Sequence, residues 1–123
     1  MKLPATTTEY KPNCENVCPI VYAINLIGQK WKIPILWNIG EREMLHYNQL
    51  KRLLLPITNT VLTRCLRELE ENGLVNRHNH NTIPPSVEYS LTEQGKSLIP
   101  TLTALYRWGE AQLELSSSSK SVG

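Results

Sequence analysis

Apolar residues recur at helical spacing in several separate runs of this chain and at strand spacing in one. The clearest run is Thr58 to Gly73. At about 100° per residue, Val61, Leu62, Cys65, Leu66 and Leu69 fall on one stripe, while Thr60, Thr63, Arg64, Arg67 and Glu71 fall on the other. Thr58 and Asn59 are N-cap residue types and Gly73 suits a left-handed C-cap, so both ends of the helix are marked. The exposed N-terminal half carries Asn59, Thr60, Thr63, Arg64 and Arg67, a set able to reach phosphates and base edges in a major groove. Glu68, Glu70 and Glu71 read as a solvated C-terminal half, with Glu71 an i,i+4 partner of Arg67.

Upstream, Cys18-Pro19 precedes an apolar stripe of Ile20, Ala23, Ile24 and Ile27 that stops at Gly28, which predicts a first core helix. A second helix is expected from about Lys30 to Gly40. It carries Trp31 as a core anchor, Ile33, Ile35, Leu36 and Ile39, and its Pro34 is tolerated in the first turn. Glu41 to Glu43 reads as a loop, and Leu45 to Tyr47 as a short extended piece able to pair with a later hairpin. Asn48 can cap a third helix, Gln49 to about Leu54, with Leu50, Leu53 and Leu54 facing inward, Lys51 and Arg52 outward, and Pro56 closing it. Two helices joined by so short a turn form a helix-turn-helix, and Lys51 and Arg52 stand where the supporting helix would cross a phosphate backbone.

Beyond Gly73 come Leu74-Val75, a basic and polar segment containing Arg77, His78 and His80, then Pro84-Pro85 and the alternating run Val87 to Leu91. That order predicts a two-stranded hairpin with a long basic tip. Thr92 caps a last long helix with Glu93 in its first turn. Its apolar set of Leu98, Ile99, Leu102, Leu105, Tyr106, Trp108, Leu113 and Leu115 covers more than one core-facing stripe, and Pro100 should kink it. A second copy of the chain is the economical cover, which makes Leu98, Leu102, Leu105, Tyr106 and Trp108 dimerisation candidates.

Size and composition add bounds. A chain of 123 residues fits one domain with its own core. The expected division is an N-terminal arm over 1–17, a folded domain over 18–115 and a Ser-rich disordered tail over 116–123. A net charge of +2 and a pI near 8.5 do not by themselves announce a nucleic-acid binder, so the placement of charge matters more than its total. No long apolar run or leader-like segment is evident, which predicts a cytoplasmic protein without a membrane association. Three cysteines, Cys14, Cys18 and Cys65, are an odd number suited to a reducing compartment.

The elements in order outline a winged helix-turn-helix, α+β and mainly α. Several strings then line up: Cys18-Pro19, Gly28-Gln29-Lys30-Trp31 followed by Ile35-Leu36, LTRCLRELEENGL over 62–74, PPSVEYSLT over 84–92 with Gly95, and Trp108. Across roughly residues 18–110 the chain resembles HxlR-type transcriptional regulators, a branch of the MarR-like winged-helix repressors. The resemblance implies a homodimer built from both ends of the chain, binding palindromic double-stranded operator DNA. It assigns the reading helix to 58–72 and the wing to 76–86; no cofactor is expected. Some relatives sense oxidants or electrophiles with a cysteine just before the first helix, a position matched by Cys18, and a helix N-terminus favours the thiolate. A small molecule is the other effector class left open. The chain departs from the pattern twice: Leu55-Pro56-Ile57-Thr58 replaces a Gly-containing turn, and His46-Tyr47 stands where Arg-Phe-like residues are usual.

Three other readings compete. Cys14 and Cys18 have an allowed metal-ligand spacing that His46, His78 or His80 could complete, which would suit a metal-responsive regulator. No paired carboxylates, phosphate loop or nucleophile with a base marks an enzyme. A winged helix that docks on protein without reading DNA is the third, separated from the first reading by what Arg64 and Arg67 do.

Overall fold

The computed structural model describes residues 18–84 and 86–122, so the expected arm over 1–17 lies outside the described residues. Within them run α1 (Pro19–Ile27), α2 (Lys32–Arg42), β1 (Met44–His46), α3 (Tyr47–Leu53), α4 (Asn59–Glu71), β2 (Val75–His80), β3 (Ser86–Leu91), α5 (Glu93–Lys96) and α6 (Ile99–Val122). The strands form one antiparallel sheet in the order β1-β3-β2. The extended piece before α3 does join the hairpin, with Leu45 opposite Tyr89, while Arg77 faces Tyr89 from the other side.

One core sits where α2, α3 and α4 meet the sheet. Ile35, Leu36 and Ile39 of α2, Leu50 of α3, and Leu62, Cys65, Leu66 and Leu69 of α4 close over Leu45, Val75, Tyr89 and Leu91. The stripe predicted on the reading helix is therefore the buried one. Thr58 caps α4 by accepting Val61 N–H at 3.2 Å. At the far end Gly73 adopts φ +77°, which lets its own N–H reach Glu70 O and Leu74 N–H reach Leu69 O, a Schellman closure.

Several expected boundaries move. The second helix does not stop at Gly40. It runs on through Glu41 to Arg42, because nothing before Glu43, with its φ of 69°, breaks the hydrogen-bond ladder. His46, not Asn48, precedes the first turn of α3, and its backbone N–H donates to Gln49 Oε1 at 2.8 Å. Leu53 is exposed, since only Leu50 of α3 and Leu54 just past its end turn inward. The last helix is two helices: α5 ends at Lys96 and α6 begins at Ile99, which puts Pro100 in a first turn, where its missing N–H costs nothing. The backbone of α6 stays helical to Val122 through the serines expected to be disordered, since extending a helix already nucleated costs little even for serine.

The first helix is not a core helix. Only Ile27 is buried, whereas Ile20 is 70% exposed and Val21, Tyr22 and Ile24 are open too. The periodicity holds, but none of the described residues covers the surface it presents. On α6, Leu102 is only 3% exposed and belongs to the core, so it is not free for a partner, while Leu98, just before the helix, is partly buried against that core. Leu105, Tyr106, Trp108, Leu113 and Leu115 remain uncovered. Tyr106 stacks on Trp37 of α2 with ring centroids 4.9 Å apart.

Candidate nucleic-acid interface

The candidate reading face is assembled by α4. Its buried stripe fixes the rotation of the helix, and that rotation leaves Asn59, Thr60, Thr63, Arg64 and Arg67 lining an open concavity of about 490 Å³. All five are exposed, and Thr58 lies exposed at the cap. The structure thus brings together six of the residues singled out for this helix. Beside them lies a residue not singled out as a site: the Tyr47 hydroxyl, 3.2 Å from Asn59 Oδ1, 3.3 Å from Asn59 O and 3.0 Å from Thr63 Oγ1.

Lys51 and Arg52 do not join this face. Lys51 is half-buried on α3, and Arg52 borders a separate hollow with Arg42, Leu45, Gln49 and Leu53. Arg67 has no ion-pair partner within 4 Å among the described residues, so the expected Arg67–Glu71 pair is absent. The acidic end of α4 has another use. Glu68 meets Lys32 Nζ at 2.9 Å, and Lys32 is only 2% exposed, buried at the start of α2. A hydrogen bond from Lys32 holds the Glu68 carboxyl below its ordinary range. An ammonium buried to that depth needs a partner, so this pair fixes α4 against α2. Sequence offered no sign of it, because Lys32 sits in the basic, polar stretch at the head of a helix where lysines are usually solvated.

The wing is β2 and β3 with the connection between them, and Pro85 of its tip is outside the described residues. Arg77 lies on the same sheet face as Tyr89, whereas His78 and His80 share the opposite face with Glu88. His80 is not free: its Nε2 is 2.8 Å from Glu88 Oε1. From the other side His46 Nε2 comes to 3.2 Å from Glu88 Oε2, so one carboxylate ties β1, β3 and β2 together. His80 chiefly, with His46, holds the Glu88 carboxyl low. Burial pushes the Tyr89 hydroxyl up, with Arg77 opposing it.

The wing is clasped to the reading helix at its base. Thr92 Oγ1 donates to Gly73 O at 2.6 Å and accepts from Gly95 N–H at 3.0 Å, while Thr92 N–H donates to Leu74 O at 3.1 Å. The Leu-Thr-x-x-Gly string therefore has a physical meaning: it joins the C-terminus of α4, the end of β3 and the start of α5.

Cys18 stands exposed at the N-cap of α1, where its side chain makes no capping bond. Cys65 is buried, and desolvation pushes its thiol up, against the pull of Arg64 and Lys32. Cys14 lies outside the described residues. Among the described residues no three His, Cys, Asp or Glu side chains are grouped so as to hold a metal ion, and no helix is long and apolar enough to cross a membrane.

A helix-turn-helix whose second helix presents a free polar and basic face beside a β-wing defines the chain as a winged helix-turn-helix transcriptional regulator. It belongs to the HxlR-like helix-turn-helix family, whose model matches residues 26–117. The chain is 46% identical over 96 residues to an uncharacterized HTH-type transcriptional regulator of Methanothermobacter thermautotrophicus (strain Delta H), a match covering 78% of this chain and 72% of that one. It is 38% identical over 112 residues to the uncharacterized HTH-type transcriptional regulator YybR of Bacillus subtilis (strain 168), covering 91% and 88%. Among solved structures it resembles the redox regulator HypR in its reduced form, with a TM-score of 0.76 and 36% identity over 82% of this chain and 99% of that chain. All three relatives are named as regulators.

Proposed function

We propose that the chain is a cytoplasmic homodimer that binds operator DNA sequence-specifically and acts as a repressor. The observation that carries this is the free face of α4, where Asn59, Thr60, Thr63, Arg64 and Arg67 stand exposed with Arg64 and Arg67 unpaired among the described residues. Thr58 at the cap and Arg77 and His78 on the wing extend the contact, His80 being held by Glu88, and Lys51 and Arg52 of α3 meet phosphates. The dimer is supported by the uncovered apolar residues of α1 and α6, a larger set than single surface residues explain. Two copies joined there would present two α4 helices to successive major grooves.

The test is fluorescence anisotropy on duplex DNA from around the gene, with excess non-specific competitor. Competitor-resistant binding is expected. Arg64→Ala and Arg67→Ala should each cost about 1–3 kcal/mol if they read bases. Lys51→Ala should weaken all sequences alike and lower the salt slope by about one. Unchanged affinity in both arginine variants would remove α4 from the groove and favour a protein partner.

Oxidation of Cys18 is the proposed modulation, supported by its exposure at a helix N-terminus and by a 36%-identical redox regulator. Mild oxidant should release the DNA, and Cys18→Ser should abolish that response. Indifference of the native protein would send the search to a small-molecule effector.

A further inference from the structure

The reading face carries a hydroxyl that the family resemblance does not require. Where a Phe-like residue is usual, this chain has Tyr47, the first residue of α3, and its phenolic oxygen reaches across the turn to two residues of α4. A phenol has one proton and can accept as well. Asn59 offers it only acceptors, O at 3.3 Å and Oδ1 at 3.2 Å, so the Tyr47 proton goes to Asn59. The remaining contact, 3.0 Å to Thr63 Oγ1, is then satisfied by Thr63 donating to Tyr47.

That direction has a consequence for readout. With one lone pair of Oδ1 held by Tyr47, the unengaged end of Asn59 is its amide nitrogen, which has no partner among the described residues, so donation is favoured over acceptance. With its proton engaged, Thr63 presents lone pairs and so offers an acceptor. An asparagine free to orient both amide atoms pairs bidentately with adenine; one whose oxygen is held by a phenol is biased toward donating to an acceptor such as guanine N7 or O6, or thymine O4.

We infer that Tyr47 is a positioning residue for specificity, which fixes the hydrogen-bonding polarity with which Asn59 and Thr63 meet base edges. This rests on the reading of α4 as the DNA-contacting helix. Tyr47 need not touch the DNA itself. It is neutral, and removing its hydroxyl leaves the ring in place beside the core.

The test is selection of bound duplexes from a randomised pool by the full-length protein and by Tyr47→Phe, followed by affinities for the enriched site and its single-base variants at two salt concentrations. Expected is a motif for the native protein. In Tyr47→Phe, discrimination should fall on the order of tenfold at one or two base pairs per half-site, with the other positions, the salt slope and the thermal midpoint unchanged. The same change made on an Asn59→Ala, Thr63→Ala background should add nothing. An identical motif and unchanged discrimination in Tyr47→Phe would overturn the inference. So would a uniform loss across all sequences, which would make Tyr47 a backbone contact. No motif for the native protein would overturn the DNA-reading proposal, and this inference with it.

Discussion

Gly95→Ala isolates the clasp between the reading helix and the wing. A Cβ at this position would press into the carbonyl oxygen of Leu74 and lie 3.2 Å from its carbonyl carbon and 3.3 Å from Leu91 Cβ. The obstacle is backbone, so it cannot rotate away. The Leu74 carbonyl is also the acceptor of Thr92 N–H, and Gly95 N–H donates to Thr92 Oγ1, so relief of the clash stretches the same bonds that hold α5 down. Overpacking of this kind costs about 1–3 kcal/mol, and a weakened hydrogen bond about 1 more. Against this, alanine is worth about 1 kcal/mol over glycine in a helix. The balance is a loss of about 2 kcal/mol, or roughly 8 °C in thermal midpoint for a domain of this size. Circular dichroism melting at fixed protein concentration measures it. Gly40→Ala supplies the contrast, because the atom it would meet is Ile99 Cδ1 at 2.5 Å, the free end of a side chain that can turn aside, so that change should stay within about 1 kcal/mol of native. A Gly95→Ala midpoint equal to or above the native one would refute the reasoning.

Other outcomes follow from the same geometry. Leu105→Glu with Trp108→Glu, both on exposed positions of α6, should leave the circular dichroism spectrum intact and convert a dimer to monomer by light scattering at micromolar concentration. In thiol titration of the reduced native protein Cys18 should react with a disulfide reagent, while Cys65, buried and held in the thiol form, should react only on unfolding. Glu88 has a lowered folded-state pKa, so its contribution is fully present above the ordinary carboxylate range and is lost as pH falls through the lowered value. Glu88→Gln should accordingly remove part of the acid-side slope of stability, read from urea midpoints between neutral pH and pH 3.

The parts of the fold that were legible in the sequence are those whose signal is local. Thr58, the Leu62 to Leu69 stripe and Gly73 specify the ends and the buried side of α4 without reference to the rest of the chain, and the structure keeps all three. Alternation over Val87 to Leu91 likewise marked β3. What failed depended on a neighbour. The stripe on α1 says that something must cover Ile20 and Ile24, and it cannot say that no part of the described protomer does. Pro100 signals a break in a ladder equally well as the start of one. The candidate site divides in the same way. Exposure of Asn59, Thr63, Arg64 and Arg67 follows from helix phase alone, whereas the Glu68–Lys32 pair and the Tyr47 contacts join residues 36 and 12 to 16 positions apart. Nothing in local pattern reports such a distance. His80 shows the cost in the other direction, since composition at a wing tip suggested a free contact and the sheet register gives it to Glu88.

The position of β3 between β1 and β2 makes an interchangeable part of the segment it brackets. Residues 47–74 leave the sheet at the end of β1 and return at the start of β2, and both strands are anchored on the same partner. Their ends are thus held two strand spacings apart, roughly 10 Å across the sheet, whatever lies between. α1 and most of α6 lie beyond this bracket. A lineage, or an engineer, can therefore exchange the cassette and acquire a new target sequence while the uncovered apolar surfaces of α1 and α6 are inherited unaltered.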